Sequence, residues 1–302
     1  MLVGLFEPLG VAFVQRALWG GIALSALCAL VGVWVIARGL TFLGEAMGHA
    51  MLPGVAIASL FGIDLVIGAA ASAVVMVLGV EAMRTHQDFG RDTSIGLLFV
   101  GLLGIGVIIV SYSSSFATDL TAFLFGDVLA ITTGDIIRLL ALVAMVALVT
   151  TAFYRAFLAV TFDERKARTL GLRPVTTNLM MVLTLAVAMA GAFSVVGTLL
   201  AFGMLVAPSA SALLIVRRVP AAMGVAFVFG SASTVIGLLV SWHAATAAGA
   251  TIATTAVILF FLTLVVRTAA RALRRVTIGD VGTHTRKDVR RCAIESDQPQ
   301  SR

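Results

Sequence analysis

The sequence predicts an all-α fold, a polytopic membrane bundle of about 8–9 transmembrane helices. Three observations carry that reading. The 302 residues are 60% hydrophobic and 12% charged, against about 25% charged in soluble domains. The mean hydropathy of +1.08 is more apolar surface than one aqueous core hides. The apolar runs are continuous and rich in Ala, Leu, Val and Gly, whereas a transmembrane barrel alternates over strands of roughly ten residues.

The spans follow in order. Each is an apolar run long enough to cross a hydrocarbon core of about 30 Å. Ala17–Ile36 ends just before Arg38, and Leu40–Gly62 carries an embedded glutamate and histidine. Leu65–Met83 ends at Arg84, and Ser94–Tyr112 starts after Arg91 and Asp92. Ile136–Leu158 precedes a polar loop, and Thr177–Val195 follows Pro174. Val196–Val216 joins its predecessor across a tight turn and holds Pro208. Small residues beside that proline (Gly203, Ala207, Ser209, Ser211) accommodate a kink. Ala221–Trp242 ends on an interfacial tryptophan anchor followed by His243, and Thr251–Val266 completes the set. Residues 1–266 thus form one transmembrane domain, and 267–302 a flexible basic tail with nine basic and four acidic residues.

Charge sets the orientation. Basic residues cluster after the odd-numbered spans: Arg38, Arg84 with Arg91, Arg165 to Arg173, Arg217 with Arg218, and the tail. That side is the cytoplasm by the positive-inside rule, which places the N-terminus outside, with Arg16 as the exception. The first residues lack the basic stretch of a cleavable signal peptide. Cys28 lies in a span and Cys292 in the tail, which does not describe a disulfide or a thiolate metal site. A basic tail beside the membrane favours anionic lipid, and nothing supports nucleic-acid binding.

The two lysines, Lys166 and Lys287, do not follow glycine, so the chain has no phosphate loop and is not its own ATPase. It also lacks H-E-x-x-H, which weighs against an intramembrane zinc protease. Transport or a structural membrane role, without enzymatic activity, remains.

Two polar segments stand out. Thr161 and Glu164 have capping-box spacing, and Gly171 with Pro174 forms a stop signal. A helix of about two turns over 161–174 is expected at the cytoplasmic face. It is either a solvated connector or a docking helix for a cytoplasmic partner. The segment Ser113–Asp135 is too apolar for a free loop and is expected to fold back as a short helix at the outer membrane edge. Asp119 and Asp127 flank it, as helix caps or as a cation-attracting mouth.

In G-E-A-M-G-H-A-M-L-P-G, Glu45 and His49 stand four residues apart and share one helix face. If the span starts at Leu40, His49 lies about 14 Å along it, near the midplane. Ionisable groups at that depth face a cavity or a partner. Carboxylate and imidazole together suit zinc, manganese and ferrous iron. The alternative is a structural pair in which His49 bonds Glu45 or a neighbouring helix. Ala46, Gly48 and Ala50 offer small surfaces for close helix approach. His243 and His86 read as solvated.

With these stretches in view, the sequence resembles the permease subunits of bacterial ABC importers for zinc, manganese or iron. Four stretches carry the likeness: G-E-A-M-G-H-A-M-L-P-G-V-A, D-L-T-A-F-L-F-G-D-V-L-A, the trio Asp163, Ala167 and Gly171 at four-residue spacing, and V-V-G-T-L-L-A-F-G-M-L-V-A-P-S-A-S-A. They run in order from Gly44 to Ala212. Zinc-uptake members look most similar. Glu45 departs from the pattern, since many relatives carry aspartate there.

The resemblance implies a homodimeric path in the bacterial cytoplasmic membrane for a divalent metal, zinc first and manganese or iron next, with no permanently bound cofactor. It implies a cytoplasmic ATP-binding subunit and an extracytoplasmic metal-binding protein as partners, with Asp163, Ala167 and Gly171 as the ATPase-coupling helix. Glu45 and His49 are the expected metal-contacting residues, with Asp119, Asp127 and His243 as secondary candidates. A proton-coupled secondary metal transporter, using the same Glu45–His49 pair, is the competing expectation.

Overall fold

The computed structural model describes residues 10–84, 90–111, 126, 128–162, 167, 171 and 173–295. All regular structure among them is helical. The helices are α1 (Ala12–Ala37), α2 (Thr41–Ala50), α3 (Leu52–Phe61), α4 (Leu65–Arg84), α5 (Arg91–Ser111) and α6 (Thr133–Ala152). They continue with α7 (Tyr154–Phe162), α8 (Pro174–Val196), α9 (Thr198–Ile215), α10 (Val219–Ala244) and α11 (Ala248–Glu295). The chain divides into two units, 1–260 and 261–302. The first contains the candidate site described below.

Among the described residues, eight helices are long and apolar enough to cross a membrane: α1, α4, α5, α6, α8, α9, α10 and Ala248–Arg271 of α11. α1 is the central one. The apolar window of α1 is 72% buried inside the protein, against 17% in α5 and α6, most of whose surface this chain leaves uncovered. Leu24, Leu27 and Trp34 of α1 are fully buried, with α8 and α9 supplying Leu185, Leu200 and Leu205 to the same core. Trp34 is held edge-on by Tyr154 and Phe157 of α7, at ring separations of 5.8 Å.

Two expected spans are broken. The span expected over Leu40–Gly62 is two helices, α2 and α3, that meet at Met51. The physical reason is Pro53, which sits in the first turn of α3. Proline has no N–H to return to the carbonyl four residues back, here His49, and its ring crowds that carbonyl. The Ser72 hydroxyl of α4 satisfies the adjacent carbonyl, donating to Ala50 at 2.6 Å. The span expected over Ile136–Leu158 likewise breaks at Phe153, between α6 and α7. The expected tight turn at Val195–Val196 is the single residue Gly197, between α8 and α9.

The broken pair still carries the chain across. Arg38 ends α1, Glu81 lies in the last turn of α4, and Asn178 lies near the start of α8. Hydrogen bonds join all three, so those helix ends share one face. The chain leaves that face at Arg38 and must begin α4 on the other. Each of α2 and α3 has 10 residues and is about 15 Å long, so the two together match the hydrocarbon thickness.

The break is fixed by backbone contact. Gly54 of α3 and Gly68 of α4 face each other so closely that a Cβ on either would collide with the other's carbonyl oxygen. Backbone cannot move aside as a side-chain tip can. Gly54→Val is expected to push α3 from α4 and lower stability by about 1–3 kcal/mol. A thermal melt of the detergent-solubilised protein checks this. An unchanged melting temperature would show that the two helices part easily.

Orientation is open to a direct check. Arg217 and Thr246 are both exposed and bracket α10 at its two ends. With Cys28 and Cys292 replaced, a cysteine at Arg217 is expected to label only from the cytoplasm and one at Thr246 only from outside. The opposite pattern would invert the charge-based orientation.

Candidate functional site

Glu45 and His49 both lie on α2, one turn apart, and both line one cavity of about 210 Å³. Gly44, Gly48, Met189, Thr198, Leu199 and Phe202 complete its wall. α2 supplies the polar side, α8 contributes Met189, and the first turns of α9 contribute the rest. Glycine at 44 and 48 keeps α2 slim against α9: a Cβ at Gly48 would already touch the Thr198 side chain at 3.4 Å.

The two polar side chains point into this space without satisfying each other. No hydrogen bond or ion pair joins Glu45 to His49 among the described residues. The alternative of a mutually bonded structural pair therefore has no bond to rest on. Glu45 is exposed and His49 half-buried. The imidazole stands edge-on to Phe99 of α5 at 5.8 Å, with 65° between the rings. That contact fixes the ring from one side and leaves Glu45 unconstrained.

The helix break adds electrostatics. His49 is in the last turn of α2, where the half-helix dipole carries partial negative charge. A half-helix C-terminus favours a cation, and so do a carboxylate and an imidazole one turn apart. No cluster of three or more His, Cys, Asp or Glu exists among the described residues. Two side chains do not complete a tight tetrahedral site. Loose coordination suits an ion that must leave again.

The other expected positions fall differently. His243 is exposed in the last turn of α10, its Nδ1 donates to the Leu239 carbonyl at 2.8 Å, and it does not line the cavity. Asp119 and Asp127 lie outside the described residues, as does Asp163. Ala167 is fully buried, and Gly171 sits in an exposed turn with φ of +73°. Thr161 does not open a helix as its spacing suggested. It belongs to the last turn of α7, and its hydroxyl donates back to the Phe157 carbonyl at 2.6 Å. A threonine inside a helix has this local acceptor always within reach. A capping box does form at Thr132 and Asp135, where α6 starts.

Sequence reasoning missed the Arg38–Asn178–Glu81 contact and the Met189 and Thr198 walls. Glu81 carried a signal: it is an ionisable residue near the end of an apolar span. Met189 and Thr198 carried none, since they reach the cavity only through tertiary packing.

Residues 10–267 match the model of the ABC 3 transport family. The chain belongs to that family. It is a multi-pass protein of the bacterial cytoplasmic membrane. It is 32% identical over 251 residues to the "Manganese transport system membrane protein MntC" of Listeria monocytogenes, covering 83% of this chain and 89% of that one. It is 32% identical over 248 residues to a "Probable iron transport system membrane protein" of Haemophilus influenzae, covering 82% and 91%. Among solved structures it superposes on a chain of PsaBC from Streptococcus pneumoniae, in complex with Fab, with a TM-score of 0.78. Identity there is 29%, covering 87% of this chain and 95% of that chain. These relatives carry manganese or iron in their names where they name a metal, and lend no support to the expectation of zinc.

Proposed function

We propose that this ABC-family permease is the membrane subunit of an importer for a divalent transition-metal cation, and that the cation passes the Glu45–His49 face of α2. The observation that carries the proposal is the cavity itself: a carboxylate and an imidazole, unbonded to each other, at the negative end of a broken helix. Manganese is the leading cargo, followed by iron, because of the relatives' names. The donor set accepts zinc equally well.

A second copy of the chain completes the path. Glu45 is exposed on one copy, and a carboxylate at membrane depth needs a partner or a cavity. The matching face of another copy supplies both, together with two more ligands. A cytoplasmic ATP-binding subunit docks on the segment holding Asp163, Ala167 and Gly171, and an extracytoplasmic metal-binding protein delivers the ion. Membership of an ABC family supports ATP-driven over proton-coupled transport.

The test is uptake in proteoliposomes that hold the permease, its ATP-binding subunit and its binding protein, with manganese, iron and zinc offered in turn. The expected result is ATP-dependent accumulation, greatest for manganese. Accumulation driven by a proton gradient in the absence of ATP would overturn the reading.

A further inference from the structure

Three helix ends meet at a polar contact away from the cavity. The Arg38 guanidinium donates from Nη1 to Asn178 Oδ1 at 2.9 Å. Asn178 donates from Nδ2 to Glu81 Oε2 at 3.2 Å. The same Arg38 nitrogen lies 3.7 Å from Met181 Sδ. Asn178 is 2% exposed, while Arg38 and Glu81 are half-buried. The amide uses its acceptor on a cation and its donor on an anion. Both bonds are charge-assisted, and both sit where water competes poorly.

The place in the chain gives the contact its meaning. Asn178 is four residues into α8, directly after the segment that ends at Arg173. Arg38 is the residue that caps α1, and only Gly39 and Leu40 separate it from α2. Seven residues on from Arg38 is Glu45. One side chain therefore ties the start of α8 to the root of the helix that carries Glu45 and His49. A plain packing contact there needs neither a buried amide nor two ionised partners.

We propose that Asn178 is a positioning residue that passes motion at the start of α8 to α2, so that ATP hydrolysis moves the Glu45–His49 face. This rests on the ATP-driven reading above. Rigid polar contacts between elements transmit such displacements when both elements have two arrangements.

The experiment measures metal imported per ATP hydrolysed in the reconstituted complex, beside a thermal melt. Asn178→Ala is expected to bind the ATP-binding subunit and hydrolyse ATP, with metal per ATP lowered roughly three- to tenfold. Asn178→Asp is the second variant, for use if the alanine protein does not assemble. It keeps the acceptor for Arg38 and puts a like charge against Glu81, and the ratio is again expected to fall. Asn178→Gln keeps both functions on a longer arm and is expected to recover part of the ratio. Uptake and hydrolysis falling together, at an unchanged ratio and with a lower melting temperature, would reduce Asn178 to a structural role and overturn the proposal. Absence of ATP-dependent uptake by the unmodified complex is a distinct outcome, and would overturn the underlying reading as well.

Discussion

His49→Ala is expected to fold and to transport almost nothing. The substitution removes the imidazole from the cavity wall. Even outer partners of metal ligands are worth about 10–100-fold in affinity or activity, so losing a ligand should cost roughly 100-fold or more in uptake. The structural loss is small by comparison. It is chiefly the edge contact with Phe99, and aromatic pairs are worth about 0.5–1.5 kcal/mol. Glu45 variants set the scale. Glu45→Gln keeps the shape and removes the charge that offsets a divalent ion, so uptake should fall strongly. Glu45→Asp keeps the charge on an arm shorter by one methylene, and should be mildest. Uptake by each variant in proteoliposomes, beside its melting temperature, checks the order. Near-normal uptake by a well-folded His49→Ala protein would take the pair off the ion path.

Gly171→Val is the second large effect, and it acts on the opposite partner. Gly171 holds φ at +73° in an exposed turn with open space around it. Sterics do not forbid a side chain there, but the backbone does. A β-branched residue forced to positive φ costs about 1–3 kcal/mol. The turn is expected to relax to another shape and weaken docking of the ATP-binding subunit by roughly tenfold or more. Gly171→Asn separates conformation from contact, because asparagine tolerates positive φ. It should keep most of the binding that valine loses. Co-purification with the ATP-binding subunit reads both. Equal binding by both variants would show that the turn is not part of the dock.

The fold and the site were legible to different depths. Hydropathy located all eight helices that are long and apolar enough to cross a membrane among the described residues, because a span of twenty apolar residues leaves little room for another reading. It did not find the breaks. Pro53 sits within an apolar run, and a hydropathy window averages over it, although the missing N–H opposite the His49 carbonyl follows from the residue alone. Phe153 gives no such warning. The site was half visible. Glu45 and His49 are conspicuous because an ionisable pair inside a span is rare. Their neighbours Met189, Thr198 and Phe202 are ordinary residues of other spans. Arg38 was counted for orientation and Asn178 was not noticed, since one polar residue near a span end is unremarkable until it is seen between two charges.

The break also explains why the pair sits where it does. An unbroken helix would return an N–H to the His49 carbonyl and bury the dipole end elsewhere. With Pro53 in place, α2 ends part-way along this apolar stretch, and its last turn presents carbonyl charge and imidazole together. Gly54 against Gly68 holds that end in position. The cavity therefore depends on a proline and two glycines as much as on Glu45 and His49.

The most direct measurement is pulsed electron paramagnetic resonance of manganese(II) bound to the permease and its ATP-binding subunit, with the binding protein left out. The account predicts nitrogen hyperfine couplings from an imidazole in the unmodified complex, and their disappearance in His49→Ala. Manganese bound with the same nitrogen couplings in both proteins would contradict it.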